Sequence, residues 1–138
     1  MVNYRINGVN FTREYFVSAP DKILVIKLIS SKKGALNFTL NTNSLLNFKT
    51  VVEGNIFKMK GRAPIHENAG YEVPSEYLKQ KERGTRFTSL VKIKNTDGSI
   101  ISEADKIGVK NATEAIIFVS VGTSFNGFDK NPETEGLN

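Results

Sequence analysis

Two stretches of this sequence are apolar at nearly every position: "KILVIKLIS" at 22–30 and "EAIIFVSVG" at 114–122. Successive side chains of a strand point to opposite faces. A strand that is apolar without alternation is therefore covered on both faces and belongs at the centre of a sheet. Elsewhere the period is two. "NFTREYFVS" (10–18) sets Phe11, Arg13, Tyr15 and Val17 against Thr12, Glu14 and Phe16. "ALNFTLN" (35–41) sets Leu36, Phe38 and Leu40 against Asn37, Thr39 and Asn41. "TRFTSLVKIK" (85–94) turns Phe87, Val91 and Ile93 inward with Ser89 between them, and "NIFKMKG" (55–61) is a further short strand.

The punctuation has the same rhythm. Turn signals stand at "INGVN" (6–10), "APDK" (19–22), "SSKKG" (30–34), "VEGN" (52–55), "NTDGS" (95–99) and "VKNATE" (109–114). Turns about every eight to twelve residues mark an all-β sandwich or barrel. The expected fold is all-β, an antiparallel supersandwich-like β-sandwich of roughly eight to ten strands. With 138 residues, 39% of them hydrophobic, the chain suits a single domain over 1–138 with a real core.

One segment breaks the alternation. "GRAPIHENAGYEVPSEYLKQKERG" (61–84) carries two prolines and three glycines. Loops beyond about 12–15 residues are uncommon and usually have a function or are disordered. Arg62, His66, Glu67, Tyr71 and Tyr77 are residue types suited to polar recognition. Ser75 could cap a helical turn that Gly84 ends, or the stretch is an ordered loop.

Several chemistries are disfavoured. With no cysteine, neither a disulfide framework nor a thiolate metal site can form. His66 is the sole histidine, and the position four residues on is Gly70, so the zinc-protease pattern is broken and no metal site is expected. No Walker A or Gly-x-Gly-x-x-Gly sequence occurs, and no cofactor is implied. A Ser-His-acid triad has no serine in a nucleophile-elbow setting. Glu103 and Asp105 lie two apart beside a turn, where a solvated pair is the ordinary reading. No apolar run reaches the ~20 residues that cross a bilayer, so no membrane partner is expected. The start, "MVNYRINGVNF", lacks a signal-peptide pattern. The net charge of +5 comes from scattered lysines, several at every second position. The dense run "KQKERGTR" (79–86) has no interleaved aromatics to stack on bases, so no nucleic-acid partner is expected. Three Asn-x-Ser/Thr sequons begin at Asn10, Asn37 and Asn111, two of them products of strand alternation.

"VNYRINGVNFTREYFVSAPDKILVIKLISSKKGALNFTL" resembles part of the N-terminal β domain of glycoside hydrolase family 95, the α-L-fucosidases and α-L-galactosidases. The family has a Tyr strand, a Gly turn, then Thr-Arg-Glu-Tyr-Phe-x-Ser and a Pro-Asp turn. Here these are Thr12 to Ser18, then Pro20-Asp21. "KGRAPIHENAGY" is similar to the family's Gly-Arg-Ala-Pro-x-His loop, here Gly61 to His66. "GTRFTSLVKI" and "ATEAIIFVSVGTSFNGFDKNPETEG" resemble the next strand and the segment closing the domain's sheet.

The resemblance implies a parent enzyme that hydrolyses terminal α-L-fucosyl or α-L-galactosyl residues with inversion. Its catalytic groups would lie in an (α/α)6 barrel following this region, which nothing here resembles. The chain would then be an inactive fragment of a larger N-terminal domain, with Met1 an expression start and no catalytic residue of its own. Its partners would be the barrel of the same polypeptide and, in the parent, the glycan. The parent is expected in the periplasm or outside a bacterial cell. Arg62, His66, Glu67 and Tyr71 are candidates for a loop that touches substrate or packs between domains. The closing "VSVGTSFNGFDKNPETEGLN" (119–138) reads as a strand leaving the sheet toward the barrel, with Phe125, Phe128 and Asp129 as interface candidates that pack back on the sandwich or a neighbour, or are poorly ordered. Two alternatives stay open. One is a carbohydrate-binding module using Tyr4, Tyr71, Tyr77, Phe125 or Phe128. The other is a purely structural sandwich that dimerises through edge strands.

Overall fold

The structure, a computed structural model, describes residues 1–63 and 84–137. Its ten strands are β1 (Val2–Ile6), β2 (Val9–Ser18), β3 (Ile23–Ser30), β4 (Leu36–Leu40), β5 (Asn47–Glu53), β6 (Ile56–Arg62), β7 (Arg86–Asn95), β8 (Ser99–Ser102), β9 (Ile107–Ala112) and β10 (Glu114–Thr123). The two doubly apolar runs are neighbours: β3 pairs with β10, Ile26 opposite Ile117. Both are interior to a seven-stranded sheet of order β1-β2-β3-β10-β7-β6-β5. The second sheet has three strands, β4-β9-β8, and all pairings are antiparallel. The fold is the all-β sandwich that the alternation predicts.

The core lies between the sheets. Phe57 and Met59 of β6, Val91 and Ile93 of β7, and Ala115 and Ile117 of β10 meet Leu36 of β4 and Ile107, Val109 and Ala112 of β9. Phe11, Phe38, Leu40 and Phe87 are half-buried against this cluster. Along β7, Ser89, Val91 and Ile93 are buried while Leu90, Lys92 and Lys94 are exposed, which is the expected alternation.

Three strands and one turn do not follow the simple pattern. A three-stranded layer cannot roof a seven-stranded one. In β2, Tyr15 and Val17 share the inner face with Ile26 and Leu24, yet they are 48% and 72% exposed because the smaller sheet does not reach them. The expectation that β3 and β10 are covered on both faces is half met. On the outer face Phe16, Val25 and Phe118 stand side by side across β2, β3 and β10. Only Val25 is buried there, and Phe16 is 57% exposed. The turn expected over 109–114 is much tighter: residues 109–112 complete β9, and the chain crosses to the other sheet at Thr113 with Asn111 at φ 55°.

That crossing is a hydrogen-bonded hub. The Thr113 hydroxyl donates to Asp97 Oδ2 at 2.6 Å, and the Thr113 N–H donates to Asp97 Oδ1. Gly34 N–H donates to the same hydroxyl, and Ser30 N–H to the Thr113 carbonyl. The Thr113 hydroxyl, then its N–H, hold the Asp97 carboxyl below its ordinary value. A carboxyl depressed in the folded state contributes stability above the unfolded pKa near 4, and that stability is lost as pH falls through the folded value. Asp97→Asn should therefore lower Tm at pH 7, with the difference from the parent chain shrinking below about pH 4. Thermal melts at the two pH values check this.

Candidate functional site

Where β6 ends and β7 begins, Arg62 stands directly opposite Arg86 in the ladder. Two like charges so placed repel. Glu133, from the segment after β10, relieves this: its carboxylate is 3.1 Å from Arg62 Nη2 and 3.7 Å from Arg86 Nη1. Arg62 and Glu133 side chains are each only 29% exposed. The approach is off the hydrogen-bond axis, and among the described residues Arg62 Nη1 and Glu133 Oε2, though shielded from solvent, have no aligned partner.

The segment carrying Glu133 is ordered by its own bonds. Ser124 N–H donates to the Arg86 carbonyl and Arg86 N–H to the Ser124 hydroxyl, both at 2.9 Å. Leu137 N–H returns to the Ser124 carbonyl. Asn126 Nδ2 donates to the Glu135 carbonyl, and Asn131 N–H to the Glu135 carboxylate. The residues after β10 thus fold back on the sandwich. The interface candidates themselves do not: Phe125 is 57% exposed, Phe128 is 97% exposed, and the Asp129 side chain points outward beside Lys130.

The neck of the long loop is tightly closed. Ala63 N–H donates to the Thr85 carbonyl at 2.9 Å, with Gly84 pressed against the Ala63 carbonyl. Beside the arginines an open groove of about 980 Å³ runs along β5, β6 and β7 to β10. Its walls include Lys49, Lys58, Lys60, Arg62, Arg86 and Thr88.

Of the residues singled out from sequence, Arg62 is placed at this rim. His66, Glu67, Tyr71 and Tyr77 lie outside the described residues, as does the candidate helical turn up to Gly84. Tyr4 is no free platform: it stacks on Phe11 with ring centroids 5.3 Å apart and carries the Arg13 guanidinium at 4.9 Å. Glu103 pairs with Lys106 at 3.0 Å in an exposed turn. Among the described residues no group of three or more His, Cys, Asp or Glu side chains gathers that could hold a metal, and no helix is long and apolar enough to cross a membrane.

Sequence reasoning missed Arg86, Glu133 and the lysine row. A signal for the row existed. The β5–β6 hairpin turns over Gly54-Asn55, with Glu53 opposite Ile56. That register puts Lys49 opposite Lys60. Nothing comparable could link Glu133 to Arg62, because the contact is made by irregular chain.

Removing the Glu133 carboxylate leaves two partly buried guanidiniums facing each other. Glu133→Ala should cost about 1–2 kcal/mol, between the ranges for exposed and buried ion pairs. Urea unfolding, together with faster proteolysis of residues 125–137, checks it.

The architecture defines an antiparallel β-sandwich, and comparison with known proteins supplies its class, the N-terminal domain of a glycoside hydrolase. Residues 1–127 match the family model described as glycosyl hydrolase family 65, N-terminal domain. The chain belongs to that family. It is also 26% identical over 135 residues to alpha-L-fucosidase 2 of Arabidopsis thaliana. That alignment takes in 91% of this chain but only 16% of the relative. The relative is a plant protein, so the match lends nothing to a bacterial source.

Proposed function

We propose that this chain is the non-catalytic N-terminal sandwich of a family 95-type glycoside hydrolase, an enzyme that removes terminal α-L-fucosyl or α-L-galactosyl residues with inversion. The observation that carries this reading is the match to an alpha-L-fucosidase along nearly the whole chain while most of the relative's length lies beyond it. The local chemistry agrees. The carboxylates described above serve structure: Asp97 holds Thr113, Glu103 holds Lys106, and Glu133 bridges two arginines.

In this reading Arg62 and Arg86 brace the exit from the sheet, and Phe125, Phe128 and Asp129 dock on the catalytic barrel of the same polypeptide. Their exposure on an otherwise hydrogen-bonded segment supports that role. The test compares two chains on aryl α-L-fucoside and α-L-galactoside. The 138-residue chain should give no turnover. A polypeptide continuing into a helical barrel should release fucose or galactose as the β-anomer in the first seconds. Turnover by the short chain, or none by the long one, sinks the reading.

A carbohydrate-binding module is the second reading. It is favoured by the exposure of Phe125 and Phe128 and predicts that the isolated chain retains fucosylated glycans.

A further inference from the structure

The outer face of β5, β6 and β7 is far more basic than the chain as a whole. Lys49 and Lys60 are directly opposite each other, and Arg62 and Arg86 form the next like-charged pair. Lys58 continues the row on β6, and Lys92 and Lys94 continue it on β7. Against these cations the same face offers Glu53, bonded to Lys58 at 3.1 Å, and Glu133 between the arginines. Among the described residues no carboxylate pairs with Lys49 or Lys60. Like charges opposite each other on one face destabilise a sheet. A fold that keeps them gains when an anion binds there.

The geometry also describes the anion. The row Lys49–Lys60–Thr88 continues to Gly122 on β10, and the next row brings Ser120. The first row thus runs from two cations to a hydroxyl, and in the next row Leu90 stands between Lys58 and Ser120. A Cβ at Gly122 would meet nothing within 4 Å, so close packing does not require glycine there. Its effect is to leave the floor open to backbone level. The aromatics at the margin, Phe48 and Phe87, point to the other face and pack on the core, so no ring is offered for base stacking. The arginine pair already holds a carboxylate, that of Glu133.

From these features we infer that the groove binds a carboxylated oligosaccharide, a uronate-bearing glycan whose acid groups lie on Lys49 and Lys60 and whose hydroxyls meet Thr88 and Ser120. The choice of a sugar rests on the glycosidase reading; the binding itself does not. The experiment is therefore a binding measurement without turnover, and failure of the fucosidase assay leaves it readable.

The probe is a short oligogalacturonate, titrated calorimetrically into the 138-residue chain at low and moderate salt. Affinity should fall as salt rises, because exposed charges are screened. The fully methyl-esterified oligomer should not bind. Lys49→Gln/Lys60→Gln should weaken binding about ten-fold or more, with Tm unchanged or higher because a repulsion is relieved. Gly122→Val, whose Cβ has open space around it, raises the floor and should also abolish binding while Tm holds. The proposal is overturned by any of three results: no binding, binding indifferent to both variants, or equal affinity for a sulfated oligosaccharide or single-stranded DNA of the same charge.

Discussion

Phe57→Ala should remove a large share of the stability of this chain. Phe57 is fully buried near the start of β6, opposite Val52 on β5 and Val91 on β7, and among the described residues it is the largest side chain sealed between the two sheets. Truncating such a phenylalanine costs about 3–5 kcal/mol, part for lost burial and part for the cavity left behind. Domains of this kind have roughly 5–15 kcal/mol in total. At roughly 3–6 °C per kcal/mol, Tm should fall by on the order of 10–25 °C. Phe57→Leu, which keeps most of the volume, should fall by less than half as much. A melt of Phe57→Ala within a few degrees of the parent chain would show that the core lies elsewhere.

Gly84→Ala is the second large effect, and it arises from the opposite fault, too much volume. A Cβ built at Gly84 lands 1.7 Å from the Ala63 carbonyl oxygen and 2.9 Å from its carbon. The obstruction is backbone, so no rotamer change relieves it. Ala63 can retreat only by giving up its bond to the Thr85 carbonyl, which closes the loop neck. Overpacking typically costs 1–3 kcal/mol and a lost hydrogen bond about 1 more, so roughly 2–4 kcal/mol is expected. The control is Gly122→Ala, the same chemical change on a strand with open space around it. It should be neutral or stabilising by up to about 1 kcal/mol, because alanine restricts the unfolded chain. Guanidinium unfolding of both variants checks the pair. Similar midpoints would refute the tight neck.

The contrast between β3 and β5 shows what the sequence could reveal. "KILVIKLIS" is apolar on both faces, and its central place followed from that alone. In β5, Phe48 and Val52 face inward but Thr50 stands between them, and the strand passes for loop. β8 is four residues long, too short for a period to show. In β9, Gly108 stands between Ile107 and Val109, and Asn111 mimics a turn because it sits at the bulge where β9 shifts register against β4, its N–H bonded to Asn37 Oδ1. A methyl group at Gly108 would come 2.3 Å from the Phe38 carbonyl, so that glycine marks close approach of strands, not a break. Tyr15 and Val17 had the right spacing for burial, but whether a second layer covers them depends on how far β4, β8 and β9 extend. The site was less legible still. Arg62 stood out by its loop motif. Glu133 became visible only through folding back, which no local pattern encodes.

The order β1-β2-β3-β10-β7-β6-β5 has a consequence for synthesis. Strands β1 to β3 form one meander and β5 to β7 another, and each can pair locally as it is made. Neither touches the other until β10, the last strand, slides between β3 and β7 and closes both ladders at once. Until then β3 and β7 each present an open edge, β3 with apolar side chains on both faces. Such edges recruit other strands, and pairings between distant residues form slowly. The sheet is therefore completed after translation of β10 and not progressively from the N-terminus. During that wait, two half-sheets from different nascent chains compete for the same vacant slot.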